Sequence, residues 1–318
     1  MISVSLLEKI GFSAADIAEI CTCDGPYAHE LNALADAFMK ENGQRGRIPY
    51  TDSEYQQKRE RAQSFLVQAA GLCRDCHTYM AHLLFWLHCV PHAQIYYAAH
   101  GIKESVFWDS MYDLVCKTEM CKKNYGRVGV YLDWFYLFFD YLLFGLGRLQ
   151  FFIERFHGES YRFGDFELQE GDTVYSCHIP ANGRLCTDDC LASFQNAYDF
   201  FRDELPSSVI PITCESWLLY PPYVQKVFAK DSNIARFAAL FDILGQHSTG
   251  KRFLDARNVF GRYIDNDTAS LPRETSLQQS FLRFIEQGHD FGSGYGIVLY
   301  DGVERRILNH HHFERTSL

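Results

Sequence analysis

The spacing of apolar and polar positions divides the chain into two parts of different character. Residues 1 to about 145 read as helices. Ser13 is placed to cap AADIAEICT, and Thr51 with Glu54 (TDSE) forms a capping box ahead of YQQKRERAQSFLVQAAGLC. Pro91 is expected to restart or bend the helix that carries WLHCV, because its ring removes a backbone donor. KESVFWDSMYDLVCKTEMCKK predicts one further amphipathic helix. The stretch VGVYLDWFYLFFDYLLFGLG, residues 128–147, is almost continuously apolar and close to the length of a membrane span. Asp133 and Asp140 interrupt it, each costing roughly 2.5–3.5 kcal/mol near a bilayer centre. They are seven positions apart, on one helical face, so the segment is expected to be a buried helix with a polar stripe and not a membrane span.

Beyond Gly145-Leu146-Gly147 the period changes. RLQFFIERF reads as a strand, and YRFGDFEL and DTVYSCHI follow with turn residues between them. A helix is expected over roughly 187–203, a buried strand at VIPITCESW, and a short helix opening on prolines at PPYVQKVFAK. DSNIARFAALFDILGQ predicts a helix capped by Asp231 or Ser232. ARNVFGRYI reads as a strand, LPRETSLQQSFLRFIEQG as a helix ending at Gly288, and GYGIVLYDG as a closing strand. Strands alternating with helices imply a mixed α/β domain. The fold class is therefore α+β, with a helical N-terminal domain over residues 1–145 and a mixed α/β domain over 146–318.

Composition narrows the function classes. The 318 residues are 47% hydrophobic and 15% aromatic, which predicts a substantial core. Thirty basic against 40 acidic residues give a formal charge of -10, without a clustered Lys/Arg face, so nucleic acid is not an expected partner. Eleven cysteines are scattered through apolar segments, and no leader pattern is visible at MISVSLLEKIGFSAAD. Reduced thiols and a cytoplasmic location are expected.

Several motifs carry candidate chemistry. Cys73-Arg-Asp-Cys76-His77 has the CxxCH spacing of covalent haem attachment, yet it falls within a helical pattern where all three are expected as ordinary face residues. No second ligand pair has zinc-finger spacing, so no metal is expected. His310, His311 and His312 read as a solvated tail, and GSGYG at 292–296 as a flexible turn before the last strand. HIPANGRLCTDDC, residues 178–190, joins a strand through an Asn-Gly loop to a helix N-terminus. Such an end has free amide donors and a partial positive charge, suited to a phosphate. Thr187 with Asp188 and Asp189 is equally a good ordinary cap, and the two carboxylates would repel an anion. Cradle and cap stay open on local grounds. At the end of the buried strand, Glu215 can accept a proton and Tyr220 or Tyr223 can donate one, while Cys214 and Trp217 read as core.

LGRLQFFIERF (146–156), HIPANGRLCTDDCLASFQNAYDFF (178–201), CESWLLYPP (214–222), SNIARFAALF (232–241), VFGRY (259–263) and LPRETSLQQSF (271–281) resemble segments of a bacterial two-domain family of N-acyltransferases. That family joins a helical N-terminal domain to a GNAT-like C-terminal domain. The resemblance implies transfer of an acyl group from acetyl-CoA or another acyl-CoA to a small-molecule amine, with no metal. It places the pyrophosphate at Ala181, Asn182, Gly183, Arg184 and Leu185, the acid at Tyr220 or Tyr223, and the base at Glu215 or His178. The loop departs from the Q/R-x-x-G-x-G/A pattern typical of GNAT enzymes. A noncatalytic GNAT-like ligand-binding or interaction protein is the alternative reading.

Overall fold

A computed structural model of the chain describes residues 1–40, 47–262 and 268–309. The histidine triplet and the end of the ARNVFGRYI segment lie outside the described residues. The chain separates into two compact units: Met1–Arg155 with Ile179–Asn182, and Phe156–His178 with Gly183–Leu318.

The first unit contains α1 (Val4–Ile10), α2 (Ala14–Asp24), α3 (Ala28–Met39), α4 (Asp52–Leu72), α5 (Thr78–Ala99), α6 (Glu104–Met111), α7 (Asp113–Tyr125), α8 (Tyr136–Phe139) and a hairpin of β1 (Leu143–Leu146) and β2 (Leu149–Arg155). The Ser13 side chain accepts from the Asp16 amide, and Thr51 and Glu54 form a complete capping box. Helix α5 is the centre of this unit, with Leu83 through Val90 all buried. Trp86 stacks on Phe139 at 5.5 Å and meets Phe38 edge-on at 5.6 Å. Helix α5 runs as one element through Pro91, so the expected restart does not occur. Burial of Leu83 through Val90 before the proline, and of Ala93 and Tyr97 after it, offsets the roughly 3 kcal/mol that an interior proline costs.

Three further expectations change in this unit. The segment KESVFWDSMYDLVCKTEMCKK forms two helices, α6 and α7, meeting at Tyr112. Residues 128–147 are not a continuous helix. The Val130 amide donates to the Tyr79 carbonyl at 2.9 Å, only Tyr136–Phe139 are helical, and Tyr141 takes a left-handed φ of 59°. The chain then pairs as β1 with β2, Leu143 opposite Phe152. An apolar run buried on every side does not separate helix from strand by period. Asp140 is buried and ion-paired with Lys58 at 2.9 Å, with the Tyr50 hydroxyl also donating to it. Asp133 accepts from Arg59 Nε at 3.0 Å. Among the described residues no helix is long and apolar enough to cross a membrane. Finally, the CxxCH motif is a helix junction: Cys73 closes α4, and His77 caps α5 by accepting from the Met80 amide at 3.2 Å.

The second unit contains β3 (Tyr161–Phe163), β4 (Phe166–Leu168), β5 (Thr173–His178), α9 (Thr187–Phe201), β6 (Val209–Ser216), α10 (Pro221–Lys226), α11 (Asn233–Ala238), β7 (Asp242–Gly250), α12 (Ala256–Phe260), α13 (Ser276–Glu286), β8 (Phe291–Asp301) and β9 (Arg306–Ile307). β3 and β4 form a separate hairpin. β6 lies parallel to β5 on one side and antiparallel to β8 on the other, and β8 also pairs with β7 and β9. Phe156, Leu168, Val174, Ile297 and Leu299 form one buried cluster of this unit. This is the α/β half of an α+β chain.

Two expected elements are corrected. The helix read across DSNIARFAALFDILGQ ends at Ala238, and Asp242–Gly250 is strand β7. ARNVF is helix α12, ending on Gly261 with φ 72°, where a strand was expected. In both places a short apolar run had no length to distinguish the two periods.

Candidate active site

Strand β5 delivers the chain to His178, which is half-buried at the strand end. The loop follows: Ala181, Asn182, Gly183 and Arg184 are exposed, and Leu185 is 8% exposed and tucks into the core. Arg148 Nη1 donates to the Pro180 carbonyl at 2.9 Å and fixes the start of that loop. Gly183 has φ 129°, a left-hand value that a side chain would strain. Helix α9 begins at Thr187, with Cys186 and not Thr187 in the cap position, and no side-chain hydrogen bond caps it. Of the two readings of this corner, the side-chain cap is therefore absent. The first-turn amides of a 15-residue helix point out of its end, with Asp188 and Asp189 exposed beside them.

β6 returns parallel to β5. The pairing runs through Tyr175 with Ile212 and Ser176 with Thr213, while the strands continue to His178 and Ser216. Carried forward, the same offset brings His178 level with Glu215. In a parallel pair, residues at one level share a face.

Glu215 and the two tyrosines reach one stretch of β8 from opposite faces, Glu215 on the side of Ser293 and Tyr295 and Tyr220 on the side of Gly292. Glu215 is exposed, lies opposite Tyr295, and accepts from Ser293 Oγ at 3.0 Å. Tyr220 is 4% exposed and sits in extended backbone just before α10, as its following proline requires. Tyr223 is fully buried, and its hydroxyl accepts from the Gly292 amide at 3.2 Å. The two phenol rings meet edge-on at 4.8 Å. Phe228, Phe281 and Phe284 surround Tyr223. Burial pushes the Tyr223 phenol well above its ordinary value, the Gly292 amide opposes this, and the Asp255 charge adds to it. Tyr223 keeps its proton. Cys214 packs as expected of core, at 1% exposed, whereas Trp217 is only half-buried, its ring 5.9 Å from Phe281.

The GSGYG run is not a turn. Gly292, Gly294 and Gly296 lie within β8 on one face. A Cβ at Gly292 would come 2.2 Å from the His247 carbonyl oxygen and 2.7 Å from the Tyr220 ring. At Gly294 it would come 2.2 Å from the Leu219 carbonyl oxygen. The glycines let the 3-10 turn Trp217–Leu219 and Tyr220 lie flat on the strand. Sequence reasoning missed this role, together with Ser293, Arg148 and Asp255. The alternate glycines were the available signal. Asp255 precedes α12, and burial pushes its carboxyl above the ordinary value, against the hydrogen bond from Asn258.

Comparison with known proteins places this geometry in context. Residues 1–141 match the family model of an N-acyltransferase N-terminal domain, and residues 143–298 that of a GNAT-like C-terminal domain. The chain belongs to this two-domain GNAT-like acyltransferase family. Comparison with curated protein sequences finds no match. Among solved structures, it is similar to an acyltransferase in complex with decanoyl-CoA and teicoplanin, at 21% identity and a TM-score of 0.69 over 93% of this chain and 86% of that one. It is similar also to an acyltransferase in complex with CoA and 10C-teicoplanin, at 20% identity and a TM-score of 0.68 over 92% of this chain and 86% of that one. At these identities the likeness is one of fold. Within the family fold, α9 and the parallel pair β5–β6 form the corner described above.

Proposed function

We propose that this GNAT-like acyltransferase moves an acyl group from the thioester of an acyl-CoA to an amine of a small-molecule acceptor. The observation that carries the reading is the corner where β5 ends at an uncapped helix N-terminus and β6 returns parallel beside it. Backbone donors of α9 and the loop Ala181–Leu185 would hold the pyrophosphate. The strand ends beyond the Ser176–Thr213 pair would receive the thioester arm through main-chain hydrogen bonds. The two similar acyltransferases solved with decanoyl-CoA or CoA support a CoA thioester as the donor.

In the reaction the amine nitrogen attacks the thioester carbonyl, the C–S bond breaks, and the thiolate takes a proton. Glu215 is the assigned base, exposed at the end of β6 and steadied by Ser293, with His178 at the same level of β5 available to relay the proton. Tyr220 is the assigned acid. Tyr223, enclosed by aromatic rings and bonded to the Gly292 amide, positions Tyr220 from behind.

The test is titration with acyl-CoAs from acetyl to decanoyl, followed by assay of free thiol with and without added amines. Stabilisation by at least one acyl-CoA, and thiol release that depends on the amine, are the expected results. A noncatalytic binding role is favoured by one feature, the pair Asp188 and Asp189 at the helix end in a loop without the usual GNAT pattern. Binding of acyl-CoA with no amine-dependent thiol release would establish that second reading.

A further inference from the structure

Three thiols meet at one corner of the first unit. Cys73 closes α4, and the Cys76 amide donates to the Cys73 carbonyl at 3.0 Å, so the CxxC segment is a tight turn and not part of a helix. Cys23 lies near the end of α2. The Cys76 thiol donates to the Cys23 carbonyl oxygen at 4.0 Å. Cys23 and Cys76 are both half-buried, whereas Cys73 is buried. The same corner is fastened by the Tyr27 hydroxyl, which donates to Asp75 at 2.6 Å and accepts from the Asp75 amide at 3.2 Å. Two elements distant in sequence are thus held with the Cys76 thiol against the backbone of Cys23 before any covalent bond exists.

We propose that Cys23 and Cys76 are a redox-active pair that closes to a disulfide on meeting a low-molecular-weight disulfide of the glutathione class. One thiol loses its proton to water and attacks a sulfur of the oxidant, whose S–S bond breaks and releases one small thiol. The second cysteine, deprotonated in turn, attacks the mixed disulfide and releases the other small thiol. The two cysteine sulfurs are oxidised by two electrons in all, and the small disulfide is reduced. Proximity makes the second step intramolecular. It is what distinguishes this pair from the chain's other cysteines.

Cys76 is favoured over Cys73 as the partner of Cys23 on access. Burial pushes the Cys76 thiol up to about 12, with the Cys23 contact and the charges of Cys23, Cys73 and Asp75 adding to it, so thiolate is scarce and its attack on the small disulfide is slow. Among the described residues no group of three or more His, Cys, Asp or Glu is arranged to hold a metal ion. Closure would tie the end of α2 to the α4–α5 junction.

The experiment equilibrates the full chain, as a Cys21→Ser variant, in glutathione buffers of increasing oxidised fraction. Tryptic peptides are then mapped without reduction. Cleavage after Arg74 separates Cys73 from Cys76, so each pairing gives a different mass. A Cys23–Cys76 linkage is expected, with a thermal midpoint higher by roughly 5–10 °C in the oxidised protein. Cys76→Ser should abolish both effects, and Cys73→Ala should leave the linkage in place. A Cys73–Cys76 or Cys23–Cys73 linkage, or stable glutathione adducts without an internal disulfide, would overturn the proposal.

Discussion

The Gly292 amide donates a hydrogen bond to the Tyr223 hydroxyl at 3.2 Å, inside a ring of phenylalanines. That bond gives Tyr223 a structural task, in keeping with the proposal that Tyr220 is the acid. Tyr223→Phe keeps the ring but strands a buried N–H, which costs about 1–3 kcal/mol. Urea unfolding should show that loss, with amine-dependent thiol release changed only a few-fold. Tyr220→Phe should lower turnover by roughly 10²–10⁴-fold with little change in stability. The opposite pattern would exchange the two roles.

The glycine face of β8 gives a second expectation. A methyl at Gly294 would meet the Leu219 carbonyl oxygen at 2.2 Å, and that oxygen belongs to backbone with no rotamer to yield. Gly294→Ala should therefore destabilise by about 1–3 kcal/mol or more, as overpacking does. Gly245 on the neighbouring strand β7 has nothing within 4 Å of its would-be Cβ. Gly245→Ala should leave stability within about 1 kcal/mol of the parent. Equal losses at both sites, measured by urea midpoint, would show that strand propensity and not close approach governs them.

These glycines also mark how far the sequence could be read. The caps at Ser13 and Thr51, the strand–loop–helix order around HIPANGRLC, and the mixed α/β character of the second half were legible because each rests on local spacing. The segment 128–147 was not, because its apolar residues are buried on all sides and its breaks come from tertiary contacts such as Val130 with Tyr79. Helix α12 and strand β7 were misread for want of length. In the site, Glu215, Tyr220 and Tyr223 were visible at a strand end, but that they reach Gly292–Tyr295, Glu215 on one face and the tyrosines on the other, depends on β8 returning antiparallel from much later in the chain. No local pattern encodes that return.

The carboxylates at the start of α9 make a prediction with opposite signs for binding and folding. Asp188 and Asp189 are exposed in the first turn, where they stabilise the helix dipole and repel an approaching anion. Asp188→Asn combined with Asp189→Asn should lower stability by about 0.3–1 kcal/mol per site. The same change should tighten CoA about three- to tenfold at low salt, the gain shrinking as ionic strength rises past about 0.15 M. Calorimetric titration at two salt concentrations checks both the sign and the screening. Weaker CoA binding in the double variant would place the pyrophosphate elsewhere.

The acid limb of stability should depend on Asp24. Its carboxylate is fully buried, bonded to His88 Nε2 at 2.6 Å and to the Ile2 amide at 2.8 Å, and the other ring nitrogen of His88 faces Asn32 at 2.6 Å. Burial alone would raise the Asp24 carboxyl, but the hydrogen bonds from His88 and Ile2 and the charges of His88 and the N-terminus outweigh it, leaving it below its ordinary 3.8. A carboxyl depressed in the folded state contributes stability in full above its unfolded value, and that contribution is lost as pH falls through the folded one. Native stability should therefore decline steadily below about pH 4 in the parent. Asp24→Asn removes the charge from a buried pair and should cost about 3–5 kcal/mol near neutral pH. Because the variant has no such proton to take up, the gap between the two proteins should narrow as the pH is lowered. Urea midpoints measured across that range test the coupling, and a gap that stayed constant down to about pH 3 would mean that Asp24 does not carry the linkage.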